Sequence, residues 1–556
     1  MELTGAQIIA ECLLEQKVDT VFGYPGGAVL NIYDALYEYR DRISHVLTAH
    51  EQGASHAADG YARSTGKAGV VIATSGPGAT NLVTGIATAA MDSIPLVAIT
   101  GNVAVDLLGR DSFQEVDITG ITMPVTKHNF VVKRVEDLAH VIRKAFQIAQ
   151  SGRPGPVLID VPKDVTANRC QYERREPLPL QPPPKAPREE LEKAAQMLRA
   201  SKRPFVYAGG GVIASGASQE LLRFAEKLQA PVCTSLMGLG GFPENHPLSL
   251  GMIGMHGSYA AGMALDHSDL IVVMGARFSD RVAGNREKFG EHGKILQLDV
   301  DLAEIDKNVL VDRYLIGDLK KTAAALNGLL EPQDHSQWLG QLEAWKQEAP
   351  RKKAVHGEAP DHTHILQTIN SLLKPDDILV TDVGQHQMWA AQDYQFLKPR
   401  TFLTSGGLGT MGYGLGASIG AQSAHPGRRV VLVTGDGSFH MNLNELATLA
   451  SYELPVMVVV MNNQVLGMVR QWQKLFYGGR FSQTDPHRKT NFEALARAFG
   501  VEGRTIREDS RVESALQEAF ALKKPVVVDC RISPDDNVLP MIPPGGTVGQ
   551  MITEMD

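Results

Sequence analysis

Asp436, in Gly435-Asp436-Gly437-Ser438, and Asn463, in Asn462-Asn463, are the residues of this chain best suited to holding a hard cation. One carboxylate and one amide oxygen suit Mg²⁺, which takes oxygen ligands and commonly completes its octahedron with phosphate oxygens and water. A further carboxylate, Glu51, stands in His50-Glu51-Gln52-Gly53-Ala54. Desolvation in an apolar site would raise its pKa toward the working range and fit it for acid–base chemistry, while at a helix start it would also be favoured by the helix dipole.

The elements around these residues place them at strand ends. Arg429-Val430-Val431-Leu432-Val433-Thr434 is an apolar, β-branched run of the kind buried on both faces of a parallel sheet, and it stops at Gly435. A helical pattern of Leu443, Leu446 and Leu449 follows, and a second buried strand, Val456 to Met461, delivers Asn462 and Asn463. In parallel α/β sheets such carboxyl ends line the ligand crevice, where the next helix offers free N–H groups to phosphate. Glu51 likewise follows a strand-like run, Ile43 to Thr48.

Strand-like runs alternate with helical patterns along all 556 residues, which predicts an α/β protein of three domains, each a parallel sheet flanked by helices. The first domain, 1–170, contains the strand Gly69 to Ala73, the turn Ser75-Gly76-Pro77-Gly78 and the strand Pro95 to Thr100. Residues 171–188 are too proline-rich for helix or sheet and read as a stiff linker. The middle domain, 189–335, has strands at Pro204 to Ala208, Leu270 to Met274 and Ile295 to Leu298, with Gly209-Gly210-Gly211 after the first. A polar linker is expected over 336–360, then a third domain with a C-terminal tail over 361–556, whose further strands are Ile378 to Thr381 and Val526 to Val528. A net charge of −8 without a basic stripe argues against nucleic acid as a partner. Cys12, Cys170, Cys233 and Cys530 are scattered without metal-ligand spacing, and no apolar run approaches a membrane span. Met1 to Ile9 lacks the basic start of a targeting segment, so a cytoplasmic protein is expected.

Gly-Asp-Gly followed at this distance by Asn resembles the thiamin diphosphate (ThDP) signature. The resemblance implies Asp436, the Asn463 side chain and the Val465 carbonyl as Mg²⁺ ligands, with Gly435, Gly437 and Ser438 at the diphosphate. Tyr24-Pro25-Gly26-Gly27, His50 to Ala54, Gly60-Tyr61-Ala62-Arg63 and Thr74 to Asn81 resemble the pyrimidine-binding domain of the same enzymes. This implies Glu51 as the activating glutamate, with Pro25, Gly26, Thr74, Gly76 and Asn81 around the coenzyme. Gly384-Gln385-His386-Gln387 resembles the stretch meeting the diphosphate, and Gly407 to Gly412 carries Gly409 and Met411, the latter matching the residue that props the coenzyme in its bent shape. The domain order is similar to that of the decarboxylase and acetolactate synthase branch.

Within that branch the chain resembles the biosynthetic, FAD-containing acetolactate synthases. Gly467 to Gln473 matches their substrate-pocket segment, which implies that Met468 and Trp472 shape the space for the second ketoacid. Phe113 and Gln114 match the pocket loop, and Lys127 the lysine at the active-site entrance. Segments around Gly254-Met255-His256-Gly257, Gly275 to Arg281 and Leu298 to Asp301 are similar to the flavin-binding segments. They imply FAD contacts from His256, Gly257, Gly275, Arg277, Arg281 and Asp299, joined by Arg153 and Asp318, with Arg277 also holding the incoming ketoacid carboxylate. Ser279 departs from the acidic residue usual there. The activity implied is decarboxylation of pyruvate and ligation of the two-carbon unit to pyruvate or 2-ketobutyrate, the committed step toward valine, leucine and isoleucine. The resemblance also implies a homodimer or homotetramer with sites shared between subunits, and a separate small regulatory subunit as a partner the family often uses. Pyruvate oxidase, glyoxylate carboligase, the catabolic FAD-free synthase and a noncatalytic cofactor-binding relative are the alternatives; Glu51 disfavours the carboligase.

Overall fold

The computed structural model describes residues 1–349 and 358–555. Three six-stranded sheets, each wholly parallel, form the three domains. The first runs Ser44–Leu47, Thr20–Tyr24, Gly69–Ala73, Leu96–Asn102, Pro156–Pro162, His128–Val131. The third runs Phe402–Leu403, Ile378–Thr381, Val430–Gly435, Val456–Asn462, Val526–Arg531, Glu502–Ile506. Counted from the start of each domain both orders are 2-1-3-4-6-5. The middle sheet differs: Ser249–Met252, Val232–Thr234, Pro204–Ala208, Leu270–Met274, Lys294–Asp299, Arg313–Ile316, which is 3-2-1-4-5-6, the order of dinucleotide-binding folds.

The strands expected from buried β-branched runs form within three residues of the anticipated limits, because their side chains are buried on both faces. Gly69–Ala73, Pro204–Ala208, Leu270–Met274 and Ile378–Thr381 are buried throughout. An antiparallel pair, Glu2–Thr4 with Arg169–Gln171, closes the first domain where the linker begins. Residues 173–187 then run without helix or strand, tied to the first domain by Gln147 Nε2 donating to the Pro179 carbonyl and the Gln181 N–H donating to Ser151.

The expected linker at 336–360 is corrected in part. Ser336–Glu348 is a helix of the middle domain, with Trp338, Leu342 and Trp345 buried in its core and the Trp338 indole donating to the Pro204 carbonyl at 3.0 Å. Spacings of four and three residues put that apolar stripe on one face, hidden among polar neighbours. Residues 350–357 of that linker lie outside the described residues.

The first and third domains share one hydrophobic core, in which Phe22, Val71 and Ala98 join Val380, Leu432 and Val458. Its seam is the helix Glu51–Thr65 against Tyr413–Ala424. A Cβ at Gly60 or Gly420 would strike the facing backbone at Ala417 or Ala57, so glycine at these points lets the two helices touch main chain to main chain. No helix among the described residues is long and apolar enough to cross a membrane.

Candidate active site

Both the first and third sheets reverse order between their first and third strands, and ligands of open α/β sheets bind at such points. In the first domain, Pro25 and Gly26 follow one of these strands and Thr74 to Gly76 the other. Thr74 packs beneath Gly26 and Gly78, and its hydroxyl accepts from the Ala28 N–H at 3.3 Å. Gly76, at φ +58°, lies against Gln114, itself at φ +59°. Glu51 opens its helix, and its carboxylate accepts from Asn81 Nδ2 at 2.9 Å beside Gly78. The structure thus brings Gly26, Glu51, Thr74, Gly76, Asn81 and Gln114 to one edge. Phe113, on the same loop as Gln114, is 88% exposed.

In the third domain, Asp436 is the first residue of the helix Asp436–Asn442 and is buried; that burial pushes its carboxyl up to about 6. A buried carboxylate in that condition is suited to a cation. Asn463 emerges from the adjacent strand, its Oδ1 accepting from the Val465 N–H at 3.3 Å and its Nδ2 donating to Gln385 at 3.1 Å. Gln385 in turn donates to Gln471 and to the Asp536 carbonyl. The His386 ring packs against Gly384 and Gly435, burial holds it neutral by pushing its pKa down to about 3, and its Nε2 has no hydrogen-bond partner. Ser438 donates to the Val383 carbonyl at 2.7 Å, and the Met411 methyl group lies beside Gly437. Oxygen donors, an unpartnered buried imidazole and bare glycine backbone fit a magnesium diphosphate; the described residues hold no cluster of three His, Cys, Asp or Glu that would suit a softer metal.

At the middle sheet's reversal, Gly209–Gly211 packs directly on Gly275, with the Gly211 N–H donating to the Gly275 carbonyl at 2.9 Å. Arg277 follows and donates to the Met91 carbonyl at 2.7 Å. Asp299, at the end of the next strand, is buried, which raises its pKa. Asp318 ends the edge strand's turn and caps Leu319–Leu329 through the Lys321 N–H. His256 is buried beside Gly257 with its Nδ1 unpartnered. The Arg281 guanidinium lies 5.6 Å from the centre of the Trp472 ring, which joins the flavin candidates to the helix Gly467–Phe476, where Met468 and Trp472 share a face. An unpartnered buried imidazole and bare glycine backbone along a dinucleotide-type edge fit a flavin nucleotide. Arg153 is committed elsewhere in part, pairing with Glu304 at 2.7 Å and donating to Ser93.

Lys127 lies near Arg153 and Asp301, whose charges act on its ammonium. It precedes the strand His128–Val131, at the opposite end of the sheet, and its ammonium donates to the Ile148 and Ser151 carbonyls that end the helix Val135–Gln150. Lys163 is exposed at the carboxyl end of Pro156–Pro162 and was not among the residues expected at the site. Also absent from the sequence expectations is Asp382, fully buried at the end of Ile378–Thr381 and accepting from the Val383, Gly412 and Gly414 N–H groups, which fixes the loop that presents Met411. Its place at a strand end beside Gly384 was the available signal.

Among the described residues, no hydrogen bond joins the Glu51 cluster to the Asp436 cluster of the same chain.

Three family models match in succession: thiamine pyrophosphate enzyme, N-terminal TPP binding domain, over 3–121; central domain over 191–326; and C-terminal TPP binding domain over 382–530. The probable acetolactate synthase large subunit of Methanocaldococcus jannaschii is 46% identical, the alignment covering 99% of this chain and 95% of the relative. The acetolactate synthase isozyme 3 large subunit of Escherichia coli is 45% identical over 99% of this chain and 98% of its own. The acetolactate synthase large subunit of Haemophilus influenzae is 44% identical with the same coverage.

Proposed function

Because the chain belongs to the thiamine pyrophosphate enzymes and, within them, to the family of acetolactate synthase large subunits, we propose that it joins two molecules of pyruvate into 2-acetolactate with loss of CO₂, and pyruvate with 2-ketobutyrate into 2-aceto-2-hydroxybutyrate. These are committed products of branched-chain amino-acid synthesis. The observation that carries the reading is the pair of half-sites at equivalent reversals of two equivalent sheets, Glu51 with Asn81 on one and Asp436 with Asn463 on the other.

Asp436, the Asn463 side-chain oxygen and the Val465 carbonyl would hold Mg²⁺, and Gly437, Ser438, Gln385 and His386 the diphosphate. Bound ThDP supplies a thiazolium carbon that attacks a 2-ketoacid carbonyl and accepts the electrons left when CO₂ departs. Glu51 would move a proton at N1′ of the aminopyrimidine, with Asn81 fixing the carboxylate's direction. Met411, on a loop braced by Asp382, would pack against the coenzyme and prop it. Arg277 offers a planar fork to the second ketoacid's carboxylate, and Met468 and Trp472 bound its alkyl group. FAD would lie along the middle sheet's edge against His256, Gly275, Arg281 and Asp299, in a structural part. The sites would be completed between subunits of a homo-oligomer, as the resemblance to this family implies. A small regulatory subunit and a cytoplasmic setting complete the proposal.

The test is anaerobic incubation with pyruvate, ThDP, Mg²⁺ and FAD. Acetolactate formed without an electron acceptor is the expected result. CO₂ without acetolactate, or turnover only after an acceptor is added, overturns it. Glu51→Gln should keep ThDP bound while nearly abolishing exchange of the coenzyme's C2 proton.

A further inference from the structure

We propose that Glu445 is the residue that positions Glu51, so that the third domain sets the direction of the carboxylate carried by the first. The proposal rests on the reading of Glu51 as the proton-transfer group.

Glu445 follows the helix begun by Asp436 and is fully buried. Its Oε2 accepts from the Ala49 N–H at 3.1 Å and its Oε1 from the His50 N–H at 3.0 Å. Thr448 donates its hydroxyl proton to Oε2 at 2.6 Å. Three donors converge on one carboxylate, an arrangement that suits the ionised form. Ala49 and His50 are the two residues before Glu51, so their amides fix the angle at which the helix Glu51–Thr65 begins. The same turn is pinned from its own side, Thr48 donating to the His50 carbonyl and the His50 ring accepting from the Gln52 N–H. A second anchor from the third domain, the Tyr452 hydroxyl, accepts from the Leu47 N–H at 2.8 Å.

Gly53 gives independent support. A side chain there would collide with the Glu445 carboxylate, and glycine inside a helix costs about 1 kcal/mol relative to alanine. The chain accepts that cost where the carboxylate must pass. The hydrogen-bond partner of the Glu51 side chain among the described residues is Asn81, which orients the carboxylate, while Glu445 sets the backbone from which that side chain projects.

The variants are Glu445→Gln, which turns an amide N–H₂ toward backbone donors, and Gly53→Ala, which displaces the carboxylate from the other side. Three readouts are taken on the full-length protein: amide hydrogen exchange of residues 47–54 without cofactor, ThDP and Mg²⁺ affinity, and exchange of the coenzyme's C2 proton. The expected result is faster amide exchange at Ala49 and His50, affinity within about twofold, and C2 exchange slowed about 10²-fold, the loss that a misplacement of about 1 Å produces. Glu445→Asp should recover part of the rate. Unchanged C2 exchange in both variants overturns the proposal, as does loss of exchange only together with cofactor affinity or folding, which would make Glu445 a structural residue. Glu51→Gln run in parallel separates the two readings: normal C2 exchange in that variant removes the role of Glu51 itself.

Discussion

His56 predicts an acid-sensitive seam between the first and third domains. It lies in the helix Glu51–Thr65 with no exposed surface, its ring edge-on to Tyr413 at 5.3 Å between centroids and its Nδ1 without a hydrogen-bond partner. Burial, assisted by the nearby Arg63 charge, pushes its pKa down to about 3. In the unfolded chain the value is about 6.5, so below that pH the unfolded state binds the extra proton and the folded state does not. Stability from this residue is therefore complete above about pH 6.5 and is lost as pH falls toward 3. At about pH 5 the deficit is about 1.5 pH units at 1.36 kcal/mol each, or about 2 kcal/mol, and at about pH 7 it is close to nothing. His56→Gln removes the titration; its own packing cost is independent of pH. Urea midpoints of the transition that separates the domains, taken at pH 7 and pH 5 and converted with the measured slope, should show the variant losing about 2 kcal/mol less than the parent on acidification. An identical loss in both proteins would refute the neutral, buried imidazole.

Lys127→Met should lower thermal stability, through loss of the cap on Val135–Gln150, and leave KM for pyruvate unchanged, whereas Lys163→Met should raise KM about two- to fivefold, the range of an exposed ion pair; steady-state kinetics at low ionic strength decide between them. Trp472→Leu should shift the ratio of acetohydroxybutyrate to acetolactate in a competition assay by about tenfold, since one methylene in an apolar pocket is worth about 1–3 kcal/mol, and an unchanged ratio removes Trp472 from the pocket wall. Gly211→Ala places a Cβ 2.7 Å from the Gly275 Cα, so the purified variant should lose its visible flavin absorbance while ThDP binding persists; a variant as yellow as the parent would place the flavin elsewhere.

The central strands were legible because burial on both faces writes itself as a run of β-branched residues: Gly69–Ala73, Val430–Gly435 and Val456–Asn462 needed no tertiary information. Most edge strands were not, Ser44–Leu47 being the exception. Arg313–Ile316 and Glu502–Ile506 mix polar with apolar residues because one side faces no neighbouring strand, and their letters resemble loop. The helix Ser336–Glu348 was concealed for a related reason, since it buries only a narrow stripe. Site residues tied to a glycine turn at a strand end, such as Asp436 and Gly76, could be found by motif.

What the letters concealed most fully is how the two half-sites depend on each other. Glu445, Asp382 and Asp92 are ordinary acids in sequence. In the fold each accepts backbone N–H groups of a segment distant in the chain: Ala49 and His50, Gly412 and Gly414, Gly406 and Gly407. Asp92 is itself paired with buried Arg63, on the helix that Glu51 begins. The loop presenting Met411 therefore hangs between a carboxylate of the first domain and one of the third, and the turn presenting Glu51 hangs from the third. Glu51 and Asp436 are thus both built on one set of interdomain contacts. Substitution at Asp92 should on that ground disturb both half-sites at once, where substitution at Glu445 or Asn81 disturbs only the one that carries Glu51.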